Sequence, residues 1–296
     1  MLERIIDISE ASVFLKVQHD LLIVCFGDNQ EQRVPLEDIA ALVVSHSAVT
    51  YTQAVLSGLM RHGAVFIACD SHRLPSGMMF PLVGHHLQQE RMRIQVEAKL
   101  PVKKQAWRQL VRAKIHAQGR LLLQRTGADQ GLRDMARRVR SGDPDNLEAQ
   151  AARRYWQALF SGIQFRRDPD GEGVNSMLNY GYAVLRGIVA RALAATGLHP
   201  SLGLQHHNRY DPFCLADDVM EPFRPLIDNA VATLVAPGGL EAKLTPTLKQ
   251  KILEPLFDRY LVMGAQRSLF EVLGITAFSL VGMLQGESKK LILPEL

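Results

Sequence analysis

The sequence predicts an α+β fold, a small β-rich N-terminal domain followed by a larger all-α domain. Three observations predict it. Short apolar runs rich in Val and Ile, broken by turn residues, fill the first 85 residues. The composition then changes across "GHHLQQERMRIQVEAKLP". From there to about residue 285, segments with helical periodicity follow one another. The boundaries read as 1–85 for the β-rich domain, 86–100 for a linker and 101–296 for the helical domain.

In order along the chain, "SVFLKVQHDLLIVCFGDNQEQRVPL" reads as strands broken at Gly27-Asp28-Asn29, a hairpin signal. "IAALVVSH" is a further strand. Thr52 is placed to cap a short helix, "QAVLSGLMRHG", that stops at Gly63. "AVFIACD" returns to strand, and "RLPSGMMFPL" is rich in turn residues. "VKKQAWRQLVRAKIHAQGRLLLQ" is a long helix with Leu110, Val111 and Leu121 as apolar contacts. "NLEAQAARRYWQALFSG" is a second, with Leu147, Ala151, Tyr155 and Leu159 on one side and Gly162 at its end. "SMLNYGYAVLRGIVARALAATG" is a third, capped by Asn175 and ended by Gly197. "LIDNAVATLVA" and "SLFEVLGITAFSLVGML" follow, and the tail "QGESKKLILPEL" is expected to be loosely held.

Composition removes several classes. A hydrophobic fraction of 47% over 296 residues supports a sizeable core. No apolar run is long enough to span a bilayer, and "MLERIIDISE" lacks a secretory pattern. Cys25, Cys69 and Cys214 are odd in number and scattered, which points to a reducing, cytoplasmic setting and excludes zinc-ribbon spacing. Residues 101–140 hold eleven Lys and Arg against two Asp, a local +9, so the remainder sums to −5 of a total +4. A segment this basic predicts a polyanion partner, nucleic acid in particular. Lys104, Arg108 and Arg112 fall four apart as one helical stripe. The expected phosphate contacts are Lys103, Lys104, Arg108, Arg112, Arg137, Arg138 and Arg140.

The stretch "GLQHHNRYDPFCLADDVMEPFRP" concentrates ligand-type residues. If "ADDVME" is helical, Asp218 and Glu221 lie on one face, with Val219, Phe223, Leu226 and Ile227 on the buried side. Adjacent carboxylates repel, so the pair needs a cation or a proton between them. Pro222 and Pro225 remove amide donors to the carbonyls of Asp218 and Glu221, which predicts a bend just past the pair. An acidic helix start accounts for one aspartate on its own, but not for the nearby His206. One imidazole with carboxylates is a mixed nitrogen and oxygen set that suits Mn²⁺ and tolerates Mg²⁺. Glu148, among Ala151, Ala152 and Tyr155, fits either a helix–helix contact or an exposed helix start.

Taken together, "NLEAQAARRYW", "NSMLNYGYAVLR" and "GLQHHNRYDPFCLADDVMEPFRP" resemble the CRISPR-associated integrase, the universal Cas family that captures new spacers, in the branch found in type II systems. The resemblance covers most of the chain. It implies that the helical domain is catalytic, with Glu148, His206 and Glu221 holding Mg²⁺ or Mn²⁺ and Asp218 beside them. The doublets His206-His207 and Asp217-Asp218 leave the register to choose. His206 follows "GLQ", and Asp218 keeps the three-residue step to Glu221. It further implies double-stranded DNA as substrate, both captured fragment and CRISPR repeat. The implied partners are a second copy of the chain, a small dimeric ferredoxin-like Cas protein and other type II proteins. The β-rich domain is the expected dimer surface. Two other classes compete: a non-catalytic DNA-binding scaffold, separated by metal-dependent strand transfer, and a small-molecule metal hydrolase, against which the basic segment argues.

Overall fold

The structure, a computed structural model, describes residues 3–27, 30–71, 74–235 and 244–296. The chain forms two compact units, Met1–His86 and Leu87–Leu296.

In the first unit β1 spans Arg4–Ile8, β2 Phe14–Gln18, β3 Leu21–Cys25, β4 Glu31–Pro35, β5 Ile39–Val44 and β6 Thr50–Tyr51. Helix α1 (Gln53–Arg61), β7 (Val65–Cys69) and β8 (Pro75–Met79) complete it. One sheet has the order β1-β5-β7-β8 and the other β4-β3-β2-β6. Strand β5 pairs in parallel with β1 and β7. Five of its six residues are buried, which is why it reads as the continuous apolar run "IAALVV". Leu15, Leu22, Leu36, Leu42, Val55 and Leu59, all fully buried, belong to one core. Strands β2 and β3 turn through His19 and Asp20, both left-handed at φ 51° and 56°, a geometry of primed two-residue turns. The hairpin read at Gly27-Asp28-Asn29 corresponds to the antiparallel pair β3–β4, but Asp28 and Asn29 themselves lie outside the described residues. The turn-rich "RLPSGMMFPL" contains β8. Among the described residues this edge strand pairs only with β7, and it opens on Pro75, a position that asks for no amide donor.

The second unit begins with α2 (Gln88–Glu97), inside the stretch expected as a linker. Its sequence shows no apolar stripe because its buried face is polar. Arg91 donates to the Thr196 carbonyl at 2.8 Å, and Gln95 donates to the carbonyls of His199 and Leu202 at 2.9 Å each. Then come α3 (Leu100–Thr126), α4 (Leu132–Arg138), α5 (Leu147–Leu159) and α6 (Val174–Ala195). Helix α3 buries Trp107, Leu110, Val111, Ile115 and Leu122, and Gly127 ends it at φ 77°. Helix α6 starts one residue before Asn175, whose side chain instead bonds the loop at Arg166, Arg167 and Asp168.

Helix α7 (Cys214–Met220) passes through a 3₁₀ turn, Glu221–Phe223, into α8 (Arg224–Leu234). The change of helix type falls where Pro222 and Pro225 withhold their amides. Helix α9 (Pro246–Leu253), the hairpin β9 (Arg259–Val262) and β10 (Ala265–Ser268), and α10 (Leu269–Gln285) follow. The hairpin is a departure from an all-helical rear; its turn, Met263-Gly264, is again left-handed at both residues. The tail is tied down rather than loose. Gln109 Oε1 accepts the Leu291 amide, Ser279 Oγ accepts the Ile292 amide, and Thr276 donates to the Ile292 carbonyl, each at 2.9 Å. Among the described residues no helix is long and apolar enough to cross a membrane.

Candidate active site

Four chain segments deliver the site. Glu148 is the second residue of α5, whose start is held by Asp143, a carboxylate that accepts the Leu147 and Glu148 amides at 3.0 and 2.9 Å. Lys114 comes from the middle of α3, Glu221 from the 3₁₀ turn, and His206 from the loop before α7.

Asp218 is fully buried and has its oxygens committed. Oδ2 accepts the Leu204 amide at 2.6 Å and the Gln205 amide at 3.1 Å, while Oδ1 meets His206 Nδ1 at 2.6 Å. Asp218 therefore positions the loop and fixes the imidazole, leaving Nε2 as the other ring nitrogen. Trp107 meets the imidazole edge-on at 5.6 Å between centroids. Gly203 permits this turn, because a Cβ there would stand 2.3 Å from the His206 carbonyl oxygen and 3.1 Å from Asp218 Oδ2. The hydrogen bond that His206 gives to Asp218 raises the His206 pKa, and burial works against it.

Asp217 belongs to a different contact. Its carboxylate takes the Arg186 guanidinium in a fork at 2.6 and 2.8 Å, so the doublet divides between two jobs.

Glu221 shares a helical side with Asp218 but not a cation. Arg224 Nε holds Glu221 Oε1 at 2.9 Å, and Lys114 Nζ lies 2.5 Å from Oε2 and 2.6 Å from Glu148 Oε1. Burial opposes ionisation of Glu221, but Arg224 and Lys114 outweigh it and hold the carboxyl down to about 2. Lys114 is thus the charge partner of both carboxylates, and Glu221 Oε2 is buried against it.

Among the described residues no three His, Cys, Asp or Glu stand grouped to hold a metal. The reason is visible: the Lys114 ammonium fills the space between the two carboxylates, and His206 Nδ1 faces Asp218. The donor chemistry nevertheless suits a hard divalent ion, with two carboxylates, one imidazole and a buried Glu221 oxygen that meets only the Lys114 ammonium among the described residues.

Lys114 and Arg224 were not singled out in the sequence. The signal for Lys114 was its place three and four residues from Val111 and Leu110, on the buried face and off the Arg108–Arg112 stripe. A lysine there requires a carboxylate partner. Behind Arg224, which lies 4.5 Å over the Tyr182 ring, the buried Asp228 takes hydrogen bonds from Tyr182 and, at 2.8 Å, from Tyr155. Burial pushes Asp228 up to about 7 despite these bonds.

The basic residues do not form one free stripe. Arg112 donates to the Ala136 and Arg137 carbonyls at 2.9 and 3.0 Å and so caps α4. Arg140 forks onto Asp145 at 2.9 and 2.7 Å, and Arg138 lies 3.7 Å from Asp134. Lys103 and Arg108 are half-buried, while Lys104 and Arg137 are exposed. A cleft of about 370 Å³ between α3 and α4 is lined by Arg112, His116, Arg133 and Arg137.

Residues 6–254 match the family described as "CRISPR associated protein Cas1". The chain is 40% identical to the CRISPR-associated endonuclease Cas1 of Neisseria meningitidis over 91% of this chain and 89% of the relative. It is 25% identical to a CRISPR-associated endonuclease Cas1 of Francisella tularensis over 95% of each. In fold it resembles a casposase bound to its integration product, with TM-score 0.82, 21% identity, and 98% and 92% of the two chains covered. It also resembles a Cas1 protein of Thermotoga maritima, with TM-score 0.74, 16% identity, and 96% and 98% covered. The α+β architecture, the motif-bearing helices and these similarities agree, and the chain belongs to the CRISPR-associated protein Cas1 family.

Proposed function

We propose that the chain is a divalent-metal-dependent DNA integrase and endonuclease of a type II CRISPR system. It joins captured DNA fragments into a CRISPR array by attack of a 3′-hydroxyl on a phosphodiester. The observation that carries this reading is that Glu148 and Glu221, 73 positions apart in the sequence, meet around one buried cation. His206, its ring fixed by Asp218 in the loop before α7, is the third group of the set.

Glu148, His206 and Glu221 would hold Mg²⁺ or Mn²⁺. When bound, the ion polarises the phosphodiester and stabilises the oxygen that leaves. Asp218 holds the His206 ring with Nδ1 occupied, so Nε2 is the nitrogen left to bind. Arg224 keeps one Glu221 oxygen in place. Water in place of the 3′-hydroxyl gives cleavage, so one site serves both reactions. Exposed Lys104 and Arg137 contact phosphates without reading bases.

The active assembly is a homodimer joined through its β-rich unit, two such dimers being bridged by a small dimeric ferredoxin-like Cas partner. The Cas6-RT-Cas1–Cas2 complex supports a Cas partner; this chain's fold aligns with 36% of a chain of that complex at TM-score 0.79 and 18% identity. The casposase bound to its integration product supports DNA joining, and the 40% identity to the Neisseria protein supports the type II assignment. The position of Lys114 between the carboxylates favours a second reading, a non-catalytic DNA-binding scaffold.

Strand transfer of labelled DNA, with and without Mn²⁺, separates the two. Wild type is expected to join DNA only with metal, and Glu148→Ala, His206→Ala and Glu221→Ala to be inactive yet folded by circular dichroism. His207→Ala should be much milder. Joining at wild-type rates by any of the three at limiting metal would sink the ligand assignment.

A further inference from the structure

Lys114 sits on the face of α3 that buries Leu110, Val111 and Ile115, and is itself buried. Its ammonium lies 2.6 Å from Glu148 Oε1 and 2.5 Å from Glu221 Oε2. Two carboxylates from separate elements thus face one another across a single monovalent cation. Without it, Glu148 would lose this ion pair and Glu221 would keep only Arg224, with two like charges left close together.

Lys114 stands 2.6 Å from one carboxylate and 2.5 Å from the other, so a single ammonium answers both. Two carboxylate oxygens that converge on one point charge suit a hard spherical ion as well. The second cation of the site is built differently: Arg224 is fixed on Glu221 Oε1 and lies over the Tyr182 ring. A planar guanidinium so seated stays in place, whereas an ammonium on a flexible four-carbon stem can withdraw.

We infer that Lys114 is a resident counter-cation that keeps the Glu148–Glu221 gap assembled without metal and is expelled when a divalent ion enters. The inference rests on the proposed ligand role of Glu148 and Glu221. An ammonium and a divalent ion repel strongly within a few ångströms at low dielectric, so the gap holds one or the other. Metal uptake is then an exchange, and Lys114 weakens metal affinity while stabilising the metal-free fold. A lysine that served as a permanent brace for the two carboxylates would act in the opposite direction on affinity.

The test uses the full chain and Mn²⁺ alone, with free ion measured by electron paramagnetic resonance. Lys114→Met should bind Mn²⁺ about tenfold more tightly than wild type, within the usual range of such couplings. It should also melt at a lower temperature in chelator and recover when Mn²⁺ is added. Equal or weaker binding overturns the inference. Should Lys114→Met fail to fold without metal, the wild type supplies the answer by mass spectrometry of amine labelling. Saturating Mn²⁺ should increase labelling at Lys114, and unchanged labelling overturns the proposal. Glu148→Gln and Glu221→Gln separate the two levels of the argument. Unaltered Mn²⁺ binding in both removes the ligand assignment and this inference with it. Binding lost in both, with Lys114→Met no tighter than wild type, removes the exchange alone.

Discussion

Asp218 Oδ1 lies 2.6 Å from His206 Nδ1, while the other oxygen of the same carboxylate accepts two backbone amides from the loop that carries the histidine. Asp218 thereby acts on the site through His206. Asp218→Asn keeps the shape but turns one of the two oxygens into a donor facing groups that already donate. Mn²⁺ affinity should fall about 10- to 100-fold, the usual effect of losing such a support, with circular dichroism unchanged. Calorimetric titration checks this, and wild-type affinity would show that the ring needs no such anchor.

Gly203→Ala tests the same loop through its backbone. The added methyl would meet the His206 carbonyl oxygen at 2.3 Å, a contact only backbone movement relieves. A stability loss of about 1–3 kcal/mol is expected, as for other overpacked sites. Metal affinity should fall alongside it, read by denaturant unfolding and Mn²⁺ titration. A variant as stable and as tight-binding as wild type would mean that the loop has room to relax.

The basic residues divide into two experimental groups. Exposed Lys104 and Arg137 are free to meet phosphates, so each replaced by Ala should lower the log–log salt slope of duplex binding by about 0.9 if it makes one contact. Arg112 caps the end of α4 by two hydrogen bonds, so Arg112→Ala should cost about 1–3 kcal/mol of stability. A slope indifferent to Lys104 and Arg137 would make that surface a solvated face and nothing more.

Asp228 carries a pH dependence of its own. Burial raises its pKa from the ordinary carboxylate value of 3.8 to about 7 in the folded chain. Between those limits the folded state holds a proton that the unfolded chain releases, so this residue's contribution to stability declines as pH rises from about 4 to about 7. The effect is a few kcal/mol at most, roughly three units at about 1.4 kcal/mol each. Asp228→Asn should remove that decline, so the variant gains on wild type between pH 4 and 8 in urea unfolding. Parallel curves would place the Asp228 titration elsewhere.

Local pattern carried much of this protein. The apolar run "IAALVV" is a central strand because both its neighbours cover it, and the period of "VKKQAWRQLVRAKIHAQG" places its apolar side on the core of the second unit. The step from Asp218 to Glu221 and the prolines that follow sufficed for the acidic face and the break beyond it, since both effects act within one helical turn. What the tertiary structure decided is which distant charge each acid meets. Asp218 turns to a loop and Glu221 to Lys114 and Arg224, although the two share one side of a helix. Helix α2 and the tail are held by polar side chains on backbone groups of remote segments. Such contacts leave no periodic mark in the sequence, because a buried polar group is satisfied by a single partner at any separation along the chain. An apolar face must recur every turn to be covered, and that recurrence is what a sequence can display.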